Sequence, residues 1–178
     1  MRWQTGLIGA PSGARPWLKG TGSLTRQLKR NFAALAVREC RQQRTFVWAD
    51  EVLLSGVPAG SKALIRNVCL QNEGVPLVFA HSVFPNRSLV GGWRSLSRLK
   101  SRSLGEVLFG NRRTHRKALQ FALLSRRHRL YREAMCYVGD VLPLRLWARR
   151  SIFRQGTRRI LVTELFLPVL WKGQKKWH

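Results

Sequence analysis

The stretch KALIRNVCLQNEGVPLVFAHSVF, Lys62–Phe84, carries the pattern that decides the fold. Two runs rich in β-branched and aromatic residues, KALIRNVCL and PLVFAHSVF, flank QNEGV. Glu73-Gly74 lies between them as a tight-turn dipeptide, so the segment is expected to form an antiparallel hairpin. A second pair lies near the C-terminus: LRLWARRSIFR (Leu144–Arg154) and RRILVTELFL (Arg158–Leu167) meet around Gln155-Gly156-Thr157. Two hairpins with short turns imply an antiparallel sheet, with the helices gathered on one face. The expected class is α+β.

The helical signals lie outside these hairpins. Ser23 can cap a helix that carries Leu24, Leu28, Phe32 and Leu35 on one side. SLGEVLFG, Ser103–Gly110, reads as a short helix with Ser103 and Glu106 as a capping box and Gly110 as its stop. HRLYREAMCYV, His128–Val138, also reads as a helix. TFVWADEVLL, Thr45–Leu54, is a strand candidate, and KALQFALL, Lys117–Leu124, fits either state.

At 178 residues the chain is expected to be one domain with a substantial core. A hydrophobic fraction of 44% with seven Trp argues against a disordered basic tail. No apolar run reaches the length of a membrane span. The broken apolar stretch Trp3–Ala14 is a poor secretory signal. Residues 1–16 are expected to be a poorly ordered extension, and 171–178 a basic tail. Cys40, Cys69 and Cys136 are odd in number and far apart, which suggests neither a disulfide framework nor a zinc site and fits a reducing cytoplasm.

The net charge is +25, and Arg94 to Arg132 holds 12 Lys/Arg against one acid, Glu106. Such a surface attracts anions of many kinds, including nucleic acid and anionic membrane. The basic residues are dispersed, without a zinc-finger or RNA-recognition signature, so a solvated basic face is the favoured reading and no specific nucleic-acid partner is expected. No glycine-rich phosphate loop, GxSxG elbow or His metal cluster is present in the sequence, and no metal is expected.

What remains is a charged set on presumed strands. Glu164 lies in an apolar run, where an unpaired buried carboxylate costs several kcal/mol or more. Its partner is either another side chain, Arg66 among them, or a ligand. Arg66 shares its strand face with Leu64, Val68 and Leu70; it is either an edge residue reaching water or a bidentate clamp for a carboxylate. His81 alone reads more simply as a satisfied histidine, and Ser82 as a small strand residue.

Four segments in order resemble bacterial chorismate lyase: SLTRQLKR (Ser23–Arg30), LIRNVCLQNEGVPLVFAHSVFP (Leu64–Pro85), SLGEVLFG, and ILVTELFLP (Ile160–Pro168) preceded by LWARRSIF (Leu146–Phe153). The resemblance covers 17–170, is weak between Ala36 and Gly60 and loose between Arg112 and Pro143. It implies a six-stranded antiparallel sheet with helices packed over it around a small aromatic-acid pocket. The implied reaction eliminates pyruvate from chorismate to give 4-hydroxybenzoate on the way to ubiquinone. Aromatisation would drive it, with no cofactor. The resemblance also implies that Arg66 holds the ring carboxylate and Glu164 contacts the 4-hydroxyl. Backbone amides of Leu24 and Leu104, each following a serine cap, would complete the carboxylate site.

Relatives commonly carry Arg at the position of His81, beside the residue matching Ser82, as a ligand for the pyruvyl carboxylate. His81, Ser82 and one of Arg149 and Arg150 are therefore the candidates for that anion; adjacent strand residues cannot both face inward. A monomer is expected, with weak contact to an anionic membrane through the basic surface as a further expectation. A non-catalytic aromatic-acid-binding domain of this fold and a basic nucleic-acid-binding protein are the alternatives.

Overall fold

The computed structural model describes residues 2–139 and 142–172. Both expected hairpins are present and stand at the centre of one sheet. Strands β2 (Lys62–Asn72) and β3 (Val75–Phe84) join through Glu73 and Gly74, with φ of 50° and 80°. Positive φ at both turn positions gives the primed turn that matches strand twist. Strands β6 (Arg145–Gln155) and β7 (Arg158–Phe166) form the second hairpin, and β3 pairs antiparallel with β7.

Three further strands extend this four-stranded centre. β1 (Leu35–Phe46) pairs with β2 and carries a bulge between Glu39 and Arg41. On the far side, β4 (His115–Arg116) and β5 (Gln120–Ser125) both pair with β6. The order is β1-β2-β3-β7-β6, with β4 and β5 sharing the last place. Seven strand segments thus fill six positions, in agreement with the expected α+β fold and antiparallel sheet.

Helices lie on both faces, not on one as expected. One face is covered by α1 (Arg15–Lys19), α2 (Leu24–Lys29), the 3-10 segment Gly91–Arg98 and α4 (Leu104–Gly110). There Leu18, Leu24 and Leu28 meet Leu70, Val78 and Phe166, while Trp93, Leu96, Leu104 and Leu108 meet Leu64, Ile160 and Val162. The other face takes α5 (Arg129–Val138), whose Leu130, Tyr131 and Ala134 pack on Cys69, Phe79 and Leu165. The short α3 (Val52–Ser55) follows Trp48 toward this second face, and Val57 beside it packs on Ala63, Ile65, Val83 and Leu161. The strands of β2, β3 and β7 are apolar on both sides because both sides are covered.

Several local expectations differ from what forms. Thr45–Leu54 is not a strand: β1 runs earlier, and Ala49–Ser55 is helical. The α2 helix stops at Lys29, so Leu35 sits in β1. Residues 120–125 of the ambiguous KALQFALL region are strand. Residues 2–16 are not a loose extension. Leu7, Ala10 and Ala14 are buried, and Gln4 bridges to Phe121. Of the expected basic tail, Trp171 and Lys172 belong to α6 (Val169–Lys172), and residues 173–178 lie outside the described residues.

Leu165 lies on β7, fully buried between α5 and the sheet. Leu165→Ala is expected to destabilise the fold by about 2–5 kcal/mol through lost apolar burial and an unfilled cavity; urea unfolding with an unchanged slope is the measurement.

Candidate active site

Strand alternation and hairpin register place the charged residues. Arg66 pairs with Ser82, Ser82 with Val162, and Val162 with Ser151, forming one row across β2, β3, β7 and β6. The next row on this face runs Val68, Ala80, Glu164, Arg149. Arg66 and Glu164 therefore sit two strands and one row apart, roughly 12 Å between backbones at standard sheet spacings. Their side chains line one pocket between the sheet and the N-terminal ends of α2 and α4. About 590 Å³ of empty space lies in and over it, open solvent at its mouth included. Small side chains at Ala80, Ser82 and Ser151 keep the floor low, and Val68, Val162 and Phe153 supply apolar walls.

Arg66 is only 1% exposed. Its Nε donates to Glu39 Oε2 at 3.4 Å, and its Nη2 donates to the carbonyls of Lys100 at 2.6 Å and Arg102 at 3.2 Å. Nη1 has no acceptor among the described residues. Burial lowers the guanidinium pKa, and the Glu39 charge opposes that. The result is a fixed cation with one prong free for an incoming anion.

Glu164 has a protein partner. Its Oε2 accepts a hydrogen bond from Arg149 Nε, across the β6–β7 pair. Arg149 is 1% exposed, and its Nη1 donates to the carbonyls of Trp17, Leu18 and Gly20 at 2.9, 3.2 and 3.1 Å. The carboxylate in the apolar run is thus compensated by Arg149 rather than by Arg66 or by a ligand alone. Its Oε1 has no partner among the described residues, which leaves an acceptor for a bound hydroxyl.

Arg116 is a third guanidinium lining the pocket, and sequence reasoning missed it. Its Nη2 donates to Thr21 O at 2.6 Å, and its guanidinium lies 5.2 Å from the Phe109 ring centre. Burial lowers its pKa, as does the Arg149 charge, while Glu164 raises it. Arg116 sits in a two-residue strand inside an arginine-rich stretch, where nothing in the local pattern separates it from its exposed neighbours.

Leu24 and Leu104 line the pocket as the first residues of α2 and α4. Ser23 Oγ accepts from Arg26 N and Ser103 Oγ from Glu106 N, both at 3.3 Å. The caps leave the first backbone N–H of each helix outside the intrahelical ladder. Glu106 does not complete the expected box; its side chain pairs with Lys29 at 2.7 Å and ties the two helices together.

His81 does not belong to the site. Ala80 and Ser82 face the pocket, so alternation turns His81 to the opposite face. There it stacks on Trp48 at 4.2 Å, and its Nδ1 lies 2.7 Å from Asn67 Oδ1. Its Nε2 is 3.2 Å from the buried carboxylate of Glu51. Arg150 also points away, bonding Gln120 Oε1 at 2.9 Å and lying over Trp3. Of the two adjacent arginines, Arg149 is the one that faces inward.

One face of an open antiparallel sheet thus carries a pocket lined by three arginines. A family model described as chorismate lyase matches residues 3–176. The "Probable chorismate pyruvate-lyase" of Methylobacillus flagellatus is 42% identical over 171 residues, covering 96% of this chain and 95% of that protein. The protein of the same name from Aromatoleum aromaticum is 40% identical, covering 90% and 87%. The chain belongs to the chorismate lyase family, a family of lyases. Among solved structures, the effector domain of PhnF from Mycobacterium smegmatis gives a TM-score of 0.55 at 18% identity, covering 83% of this chain and 90% of that one. The C-terminal domain of the histidine utilization repressor from Pseudomonas syringae gives 0.56 at 5% identity, covering 81% and 99%. At these identities the likeness is one of fold.

Gly105 marks where α2 and α4 meet: a Cβ there would stand 2.7 Å from Ser23 Oγ. Gly105→Ala is expected to push Ser23 off its cap and cost about 1 kcal/mol. A thermal melt would show the loss, and Gly22→Ala, with nothing within 4 Å of its Cβ, serves as the control.

Proposed function

We propose that this chain eliminates pyruvate from chorismate, yielding 4-hydroxybenzoate in the cytoplasm as an entry into ubiquinone synthesis. The observation that carries this reading is one pocket with the buried Arg66 guanidinium toward one end and Glu164 two strands away. A flat ring with a carboxylate and a hydroxyl at opposite positions matches that polarity. Arg66, through its free prong, and the first amides of α2 and α4 take the ring carboxylate. Glu164 Oε1 accepts the hydrogen bond of the C4 hydroxyl, and Arg149 holds that carboxylate in orientation through its bond to Oε2.

In the reaction the C4–H and C3–O bonds break, the ring becomes aromatic, and pyruvate leaves as its enol. Arg116 and Arg149 place positive charge beside the pocket where the departing enolpyruvate gains negative charge. In this reading Arg116 takes the pyruvyl carboxylate, the role first assigned to His81, Ser82 or one of the Arg149–Arg150 pair. Burial of Arg66 and Arg149 strengthens their interactions by excluding water.

Incubation with chorismate should produce 4-hydroxybenzoate absorbance; binding of 4-hydroxybenzoate without any turnover would instead support a non-catalytic aromatic-acid-binding domain. Glu164→Gln should lower kcat, and unchanged turnover would remove Glu164 from the mechanism. Arg66→Ala should weaken 4-hydroxybenzoate binding by roughly 2–5 kcal/mol in a calorimetric titration, the cost of a buried charge left unpaired. Arg116→Ala should raise KM for chorismate while changing product affinity little, since the product lacks the second carboxylate.

A further inference from the structure

Cys40 and Cys69, 29 positions apart in sequence, bring their sulfurs within 3.3 Å on the sheet face opposite the pocket. Cys69 is buried on β2 among Phe79 and Leu165, and Cys40 is partly exposed on β1. Cys40 is also the bulge residue. Glu39 pairs with Val68 and Arg41 with Asn67, leaving Cys40 outside the ladder. A bulge gives the backbone local slack that a regular pair lacks. The sulfurs need to close by only about 1.3 Å to reach the ~2.05 Å of a disulfide. From these positions we infer that Cys40 and Cys69 are a peroxide-oxidisable dithiol, with Cys40 as the attacking sulfur and Cys69 as the resolving one.

The electrostatics support that order of events. Hydrogen bonding with Cys69 is the largest influence on Cys40 and draws its pKa down to about 7 from 9.0, assisted by the charges of Arg38 and Arg66 and opposed by burial. Cys69 is pushed the other way, by its bond with Cys40 and by burial. Near neutrality one sulfur is substantially thiolate and its neighbour holds its proton, as a nucleophile and its resolving partner require. Arg38 Nη2 lies 3.8 Å from Cys69 Sγ and donates to Tyr137 O at 2.8 Å, so a cation is fixed beside the pair.

The chemistry balances with hydrogen peroxide as the oxidant. Cys40 thiolate attacks one peroxide oxygen, the S–O bond forms, the O–O bond breaks, and the departing hydroxide is protonated to water. Cys69 sulfur then attacks the sulfenic acid. The S–S bond forms, the S–O bond breaks, and hydroxide leaves with the Cys69 proton as a second water. The two sulfurs lose two electrons and the peroxide gains them.

Closure would reach the pocket through one residue. Glu39, adjacent to Cys40 in the bulge, bonds Arg66 Nε at 3.4 Å. Drawing Cys40 toward β2 shifts that carboxylate and loosens the setting of the pocket's main cation. This coupling rests on the ligand reading given above; the dithiol does not.

The test begins with the full chain, reduced and then treated with peroxide at pH 7. The three thiols should fall to one, with Cys136 still free and a peptide linking Cys40 to Cys69 in the digest. Alkylation of Cys40 should rise with pH through about 7 in the wild type and through a higher value in Cys69→Ala, where dimedone should trap Cys40 sulfenic acid. Oxidation of Cys136 ahead of Cys40, absence of the linked peptide, or a Cys40 midpoint remaining near 9.0 would overturn the dithiol. Titration with 4-hydroxybenzoate should show a severalfold loss of affinity on oxidation, reversed by dithiothreitol and absent in Cys40→Ser. Equal affinities before and after oxidation would overturn the coupling. A reduced protein that binds no 4-hydroxybenzoate would count against the proposed function and leave the linked-peptide result standing.

Discussion

The pairing of Arg149 with Glu164 holds the site together. Both charges stand on central strands, and Arg149 is almost wholly withdrawn from water. Without Glu164 the buried Arg149 would be left an uncompensated charge, a cost of about 3–5 kcal/mol. Together they satisfy each other, and Arg149 Nη1 reaches the carbonyls of Trp17, Leu18 and Gly20. Those carbonyls lie just ahead of α2. The same guanidinium that pairs with Glu164 therefore also fixes the approach to the helix whose first residue lines the pocket. Arg116 adds a second tie to this segment through Thr21 O.

Arg66 plays the matching part at the other end. Its bonds to the carbonyls of Lys100 and Arg102 hold the loop that leads into α4. Lys100 adopts a left-handed φ of 48°, rare for a side chain of its kind. Each pocket wall is thus pinned by a buried arginine rising from the sheet floor. The cations organise the pocket as well as charging it, through bonds to backbone oxygens.

Much of this was legible in the residues. The turn at Glu73-Gly74 announces the hairpin, but a register shift between Leu70 and Gln71 sets Arg66 opposite Ser82, where the turn alone would set it opposite His81. Strand alternation then turns His81 to the opposite face, and no turn or capping residue announces the shift that does so. Strand β1 was illegible because its exposed, charged residues break the apolar alternation that marks a strand. Arg116 was hidden for a related reason: in a chain with 33 basic residues, one more arginine carries no signal until the fold turns it inward. The cover on the second face was also missed, since a strand buried on both sides has no polar face to betray a second layer.

The irregular outer strand has one more effect. A sheet that ends in an unpaired row of amides and carbonyls invites a strand from another copy to add to it, and such addition propagates into aggregates. On β1 the bulge at Glu39–Arg41 breaks the straight row, and Arg38, Arg41 and Arg44 put like charges along it. A second chain offering the same strand would meet its own kink and its own positive charge. The border of the sheet therefore defends the molecule against its copies.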